Sequence, residues 1–171
     1  MKLKTRNFKF SLFVLSLLML SVKPALAQDI NKHEFIGYTF IDGKKAKDVV
    51  VKVFDDNNCF SEYETRSNGK FIFTANCEKH YTLQFEKEGY VTKRMVIKTD
   101  NTSDLEYVTK TYKFDVSLLK KEQGVDYGQY DFPIAIIELD KRNMEFTFNK
   151  KYTENRLESI ATSTNNQIAK N

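Results

Sequence analysis

Tryptophan is absent from this chain, cysteine, histidine and proline occur only twice each, and glycine six times in 171 residues. Each shortage removes a class of chemistry. The two cysteines, Cys59 and Cys77, do not form a Cys-x-x-Cys pair, so the usual redox motif is missing. The two histidines, His33 and His80, are not part of a His-x-x-Glu zinc pair. A zinc site would need Cys77-x-x-His80, Cys59 and His33 all to converge, and no spacing links His33 to the rest. No Gly-x-Ser-x-Gly elbow occurs to raise a nucleophilic serine. Asp55 and Asp56 are adjacent in a loop, whereas calcium asks for more oxygens at set spacing. No cofactor is expected. With so little proline and glycine, no low-complexity linker divides the chain.

Charge of one sign is also lacking once the N-terminus is set aside. Lys2, Lys4, Arg6 and Lys9 precede an apolar run from Phe10 to Val22, and Pro24-Ala25-Leu26-Ala27 follows with a small-x-small pattern. These three parts in this order predict a secretory signal peptide over residues 1–27. The apolar run is about 13 residues, short of the ~20 that span a bilayer as a helix. Five of the 27 basic residues fall in this leader and none of the 23 acidic ones, so residues 28–171 carry a net charge of −1. Acids and bases alternate there, as in Glu86-Lys87-Glu88, with no basic face for nucleic acid. The expected product is exported, periplasmic or secreted, and does not span the membrane after cleavage.

What is present is strand signal. The chain has 14 Phe and 9 Tyr, and apolar residues recur at every second position in segment after segment. His33–Ile41 alternates and ends at the turn dipeptide Asp42-Gly43. Val49–Phe54 is β-branched and apolar on both faces at its start, predicting a central strand. Phe60–Thr65 and Lys70–Thr74 flank Ser67-Asn68-Gly69 and predict a hairpin. Tyr81, Leu83 and Phe85 share one face, and Met95 and Ile97 continue it after Gly89-Tyr90. Val108 to Leu118 keeps one parity, Phe132–Leu139 is nearly all apolar and predicts a strand buried on both sides, and Met144-Phe146-Phe148 alternates again. Thr153 to about Ser163 predicts a short helix. The expected domain is residues 28–150, with a core at 34–99 and an extension at 105–150, followed by a helix and tail at 151–171. About nine short strands with frequent turns predict an all-β, antiparallel Greek-key-type sandwich with extra C-terminal strands and a short C-terminal helix.

If the hairpin turns about Asn68, Cys59 and Cys77 fall opposite one another, at disulfide range. Export to an oxidising compartment favours the bond, and closing the loop would contribute ~3 kcal/mol in the chain-entropy model. Two reduced thiols are the other reading. Gly69 is expected to take the positive φ of a tight turn, and Gly89 to let the chain turn while Tyr90 packs its ring and satisfies its hydroxyl on backbone.

The pattern Asp42-Gly43, Val49-Val51-Val53, Thr65, Asn68-Gly69-Lys70-Phe71, Tyr81-Leu83 and Lys87-x-Gly89-Tyr90 resembles the carboxypeptidase-regulatory-like domain. The resemblance covers roughly residues 34–99. It departs at Lys44-Lys45-Ala46, where that family often has proline. It implies a transthyretin-like (prealbumin-like) sandwich and a non-catalytic accessory or binding module of exported bacterial proteins. A hydrolase of purine breakdown shares that fold but ends in Tyr-Arg-Gly-Ser, which this chain lacks.

Two functions follow as expectations. One is an envelope binding or scaffold module that presents loops or a sheet edge to a protein or glycan. Its contact residues would be Asp55, Asp56, Asn57, Asn58, Asn76, Glu78 and Lys79, which strand counting places at one end. A further exposed loop is expected at Asn101–Asp104. The other is a small hydrolase or ligand carrier with an oligomer-interface cleft lined by His33 or His80 and arginines. The oligomeric state is left open.

Overall fold

The computed structural model describes residues 32–56, 58–100, 102 and 111–168, without the side chains of 164–168. The signal segment, Asn57, Asn101 and residues 103–110 lie outside the described residues. Among the described residues, ten strands form two sheets: β1 (Lys32–Ile41), β2 (Lys44–Lys45), β3 (Val50–Asp55), β4 (Asn58–Glu64), β5 (Lys70–Asn76), β6 (His80–Glu86), β7 (Lys93–Lys98), β8 (Thr111–Ser117), β9 (Ala135–Asp140) and β10 (Glu145–Phe148), followed by helix α1 (Lys150–Ile168). In the smaller sheet β1 pairs with β2, β5 and β8; the larger runs β10-β9-β7-β6-β3-β4. The fold is an all-β sandwich with one C-terminal helix.

Period-two alternation builds the core between the sheets. Phe71, Phe73 and Ala75 of β5 point inward while Ile72 and Thr74 point out. Tyr81, Leu83 and Phe85 of β6 do the same from the other sheet. With Phe35, Val51, Val53, Met95 and Ile97 they form one apolar cluster, which Phe114 and Val116 of β8, Ile137 of β9 and Phe146 of β10 also enter. Pairing is antiparallel throughout residues 32–98. The extension joins differently: β8 lies parallel to β1 and β9 parallel to β7.

The predicted hairpin between Phe60–Thr65 and Lys70–Thr74 does not form. β4 pairs with β3 at the edge of the larger sheet, while β5 crosses to the smaller one and pairs with β1. Buried hydroxyls hold this arch between the sheets. Thr65 Oγ1 donates to the Ala46 carbonyl (2.9 Å) and accepts from Val49 N (3.1 Å). Thr39 Oγ1 donates to the same carbonyl (2.6 Å), and Thr39 N donates to the Gly69 carbonyl (2.9 Å). Gly69 has φ +69°, and a Cβ there would lie 2.6 Å from the Thr39 carbonyl oxygen. Thr65 and Gly69 are therefore the clasp of an inter-sheet arch, with Phe71 packed just beyond it.

Three further predictions change in detail. The strand expected from Phe132 begins at Ala135, and Phe132 is 62% exposed beneath the Arg156 guanidinium. Pro133, which has no N–H for the ladder, and a 3-10 turn at Gly128–Asp131 delay the start. The helix begins earlier than Thr153, because Asn149 Oδ1 accepts from Tyr152 N (2.9 Å) and caps it. Gly89 has the expected positive φ of +78° and Tyr90 packs half-buried on the core. Hydroxyls bonded to backbone are instead found on Tyr81, which accepts from Asn76 N (3.1 Å), on Tyr127, which accepts from Glu122 N (2.9 Å), and on Tyr152, which donates to the Pro133 carbonyl (2.9 Å).

Candidate functional site

The β3–β6 ladder sets Asp55 beside Tyr81, so the loops leaving β3 and entering β6 meet at one end of the sandwich. Lys79 Nζ lies 3.0 and 3.4 Å from the two Asp55 carboxylate oxygens. That bond and the charge behind it raise the lysine above its ordinary value. Asp56 and Glu78 both turn with positive φ, 54° in each case. The predicted contact residues Asp55, Asp56, Asn58, Asn76, Glu78 and Lys79 are thereby gathered at one end, and Asn57 falls outside the described residues.

The 76–79 loop is braced from behind. Thr99 Oγ1 donates to the Asn76 carbonyl (2.7 Å) and accepts from Lys79 N (2.9 Å). Glu78 N donates to the Thr99 carbonyl (2.9 Å), and Glu78 Oε1 accepts from Thr102 N (2.8 Å). Thr102 Oγ1 closes the set on the Thr99 carbonyl (2.7 Å). Thr99 and Thr102 are fully buried, so exposed side chains are carried on a fixed backbone. Sequence reading missed this brace, since a threonine just past a strand end gives no local signal. Beside it, His80 Nε2 lies 2.6 Å from Asp100 Oδ2 on the surface. Phe60 of β4 is 52% exposed, its ring 6.0 Å from that of Tyr81.

Both cysteines are free. The disulfide expected between Cys59 and Cys77 fails with the hairpin register that paired them. Cys59 sits opposite Phe54 on the edge strand β4, and Cys77 follows β5 of the other sheet. Cys59 is exposed, with Ser61 O 3.8 Å away. Cys77 is half-buried, and its Sγ lies 3.3 Å from His33 Nε2. His33 is 3% exposed, edge-on to Phe146 with centroids 5.0 Å apart. Burial lowers its pKa from the ordinary value, and its Nδ1 is buried with no hydrogen-bond partner among the described residues. The inward parity of His33, Phe35, Gly37 and Thr39 along β1 was the signal for this placement. Among the described residues, no group of three or more His, Cys, Asp or Glu is placed to hold a metal ion.

Two grooves lie elsewhere. One of about 320 Å³ runs along the β4–β5 arch, lined by Tyr63, Arg66, Lys70 and Ile72 among others. Another of about 700 Å³ lies between β8 and β10, lined by Ile36, Tyr112, Lys113 and Phe146 among others. Neither is lined by a histidine. Among the described residues no helix is long and apolar enough to cross a membrane.

No protein-family model and no curated protein matches the chain. Solved structures share parts of it. A 3-chlorocatechol 1,2-dioxygenase from Rhodococcus opacus 1CP is 12% identical at a TM-score of 0.40, over 53% of this chain and 60% of that one. The Bacillus anthracis TIE protein is 14% identical at 0.42, over 52% of this chain and 17% of that one. A group B streptococcus pilus 2b backbone protein is 15% identical at 0.38, over 52% and 41%. The overlaps are partial, and this chain spans less than two thirds of each.

Proposed function

We propose that this chain is a non-catalytic binding or scaffold module of the bacterial cell envelope, exported by its N-terminal segment. In this reading it meets a protein or glycan partner through the end of the sandwich built from residues 55–58 and 76–79. One observation carries it. Loops from both sheets converge there, tied by the Lys79–Asp55 pair and braced by Thr99 and Thr102. Asp56, Asn58, Asn76, Glu78 and Phe60 are left exposed on that fixed frame. A rigid loop set loses little conformational entropy on docking, which favours recognition. The motif resemblance to the carboxypeptidase-regulatory-like domain points the same way, and the transthyretin-like sandwich belongs to the same proposal.

The test is a crosslinking pull-down of the protein from its own cell envelope, with wild type beside a variant carrying Asp56→Ala, Asn58→Ala and Glu78→Ala. One dominant protein or glycan partner, captured by wild type and lost by the variant, supports the reading. Recovery of the chain alone in both cases overturns it and turns attention to self-assembly or a small ligand.

A further inference from the structure

The strongest unassigned chemistry in the molecule is the thiol–imidazole pair of Cys77 and His33. Sγ and Nε2 are 3.3 Å apart, within reach of a sulfur hydrogen bond. Cys77 is a half-buried residue, while the imidazole is almost wholly enclosed. Ring placement is tightly set: Phe146 of β10 lies edge-on to His33, and Ala75 of β5 stands opposite it across the ladder. Apart from the Cys77 thiol, these neighbours are apolar, and burial lowers the histidine's pKa. A buried imidazole with one nitrogen unpartnered is costly to keep in a core, and packing alone would be served as well by phenylalanine.

We propose that Cys77 is a site of S-thiolation, in which His33 serves as proton acceptor and the substrate is a low-molecular-weight disulfide. The Sγ proton passes to His33 Nε2, and the sulfur electron pair attacks one sulfur of the incoming disulfide. A new Sγ–S bond forms as the incoming S–S bond breaks. The departing half leaves as a thiolate and takes the proton back from the imidazolium. Cys77 is oxidised, one half of the small disulfide is reduced to a thiol, and nothing else is consumed. Cys59, exposed without an imidazole, is the internal comparison in the same chain. The inference needs neither the envelope location nor the partner proposed above.

The experiment follows the reaction of the folded protein with dithiobis-nitrobenzoate, an aromatic disulfide, from pH 6 to 9. Cys59→Ser isolates Cys77, and Cys77→Ser isolates Cys59. At neutral pH, Cys77 is expected to react about tenfold faster than Cys59 and to form a single adduct by intact mass. Its rate should be nearly flat with pH where that of Cys59 climbs steeply. His33→Phe, in the Cys59→Ser background, should slow Cys77 about tenfold and restore the steep climb, whereas His80→Ala should change neither. Similar rates and pH profiles at the two cysteines in the unaltered His33 background would overturn the proposal. That comparison stands even where the His33 variant fails to fold.

Discussion

Replacing Thr65 with valine tests the clasp that separates the two sheets. The substitution keeps shape and burial but deletes one hydroxyl, at a site 2% exposed. Val49 N then loses its acceptor inside the protein, while the Ala46 carbonyl still accepts from Thr39 Oγ1. A stranded buried donor costs about 1–3 kcal/mol, so Thr65→Val should destabilise by that amount. Thr39→Val strands nothing, since the Ala46 carbonyl keeps Thr65 and the Thr39 backbone N keeps Gly69. It should cost only the net value of one hydrogen bond, about 0.5–1.5 kcal/mol. In the double variant the Ala46 carbonyl loses both hydroxyl donors, so the cost should exceed the sum of the singles by roughly 1 kcal/mol. Urea unfolding measures all three, read as midpoints at constant slope. Each kcal/mol should also appear as roughly 2–4 °C in thermal melts of a chain this size. A Thr65→Val cost no larger than that of Thr39→Val, or strict additivity in the cycle, would show that the shared carbonyl does not organise the arch.

Gly37→Ala should destabilise by about 1–3 kcal/mol, because a Cβ there would collide with the Phe71 ring, which is held by Phe85 and Phe114. Adding Phe71→Leu should recover part of the loss in the same urea midpoint, and a harmless Gly37→Ala would refute the packing. Burial lowers the His33 pKa, so between that value and the unfolded ~6.5 the unfolded chain binds more protons. Stability should thus be complete above pH 6.5 and fall as pH drops below it, down to the folded pKa; His33→Phe should remove that component of the pH profile. Lys79→Ala breaks an exposed pair, so the thermal midpoint should hardly move, since such pairs contribute little. Partner capture should fall if the loop end is the contact surface, and unchanged capture would argue against it.

The strands were legible because alternation reports a half-buried face wherever it occurs. Phe71-Phe73-Ala75 and Tyr81-Leu83-Phe85 declared their inward sides without reference to any partner. Sheet membership was not legible from the same signal. Ser67-Asn68-Gly69 makes a local turn whether the flanking strands pair with each other or part into two sheets, and Gly69 N does donate to the Arg66 carbonyl at 2.7 Å. The decision rests on long-range partners, Thr39 and Ala46 on one side and Val49 on the other. One signal did point away from a hairpin: β4 is polar and exposed at most positions, as an edge strand is, while β5 buries every second residue.

The same distinction explains what was and was not visible of the candidate site. That the 55–58 and 75–79 loops share an end follows from counting strand lengths, and Lys79 Nζ lies 3.0 Å from Asp55 Oδ2. The disulfide rested on a pairwise register, the most fragile inference available, and it failed once β4 and β5 took different neighbours. Cys77 gained a different partner as a direct result. With β5 laid against β1, Ala75 stands opposite His33, and the cysteine two residues further on comes within 3.3 Å of that imidazole. In the hairpin register, Cys77 would instead have faced Cys59, leaving His33 without a thiol beside it. The choice of sheet for one strand therefore decides the chemistry at this end of the molecule: a structural cross-link in one arrangement, a half-buried cysteine beside a buried imidazole in the other.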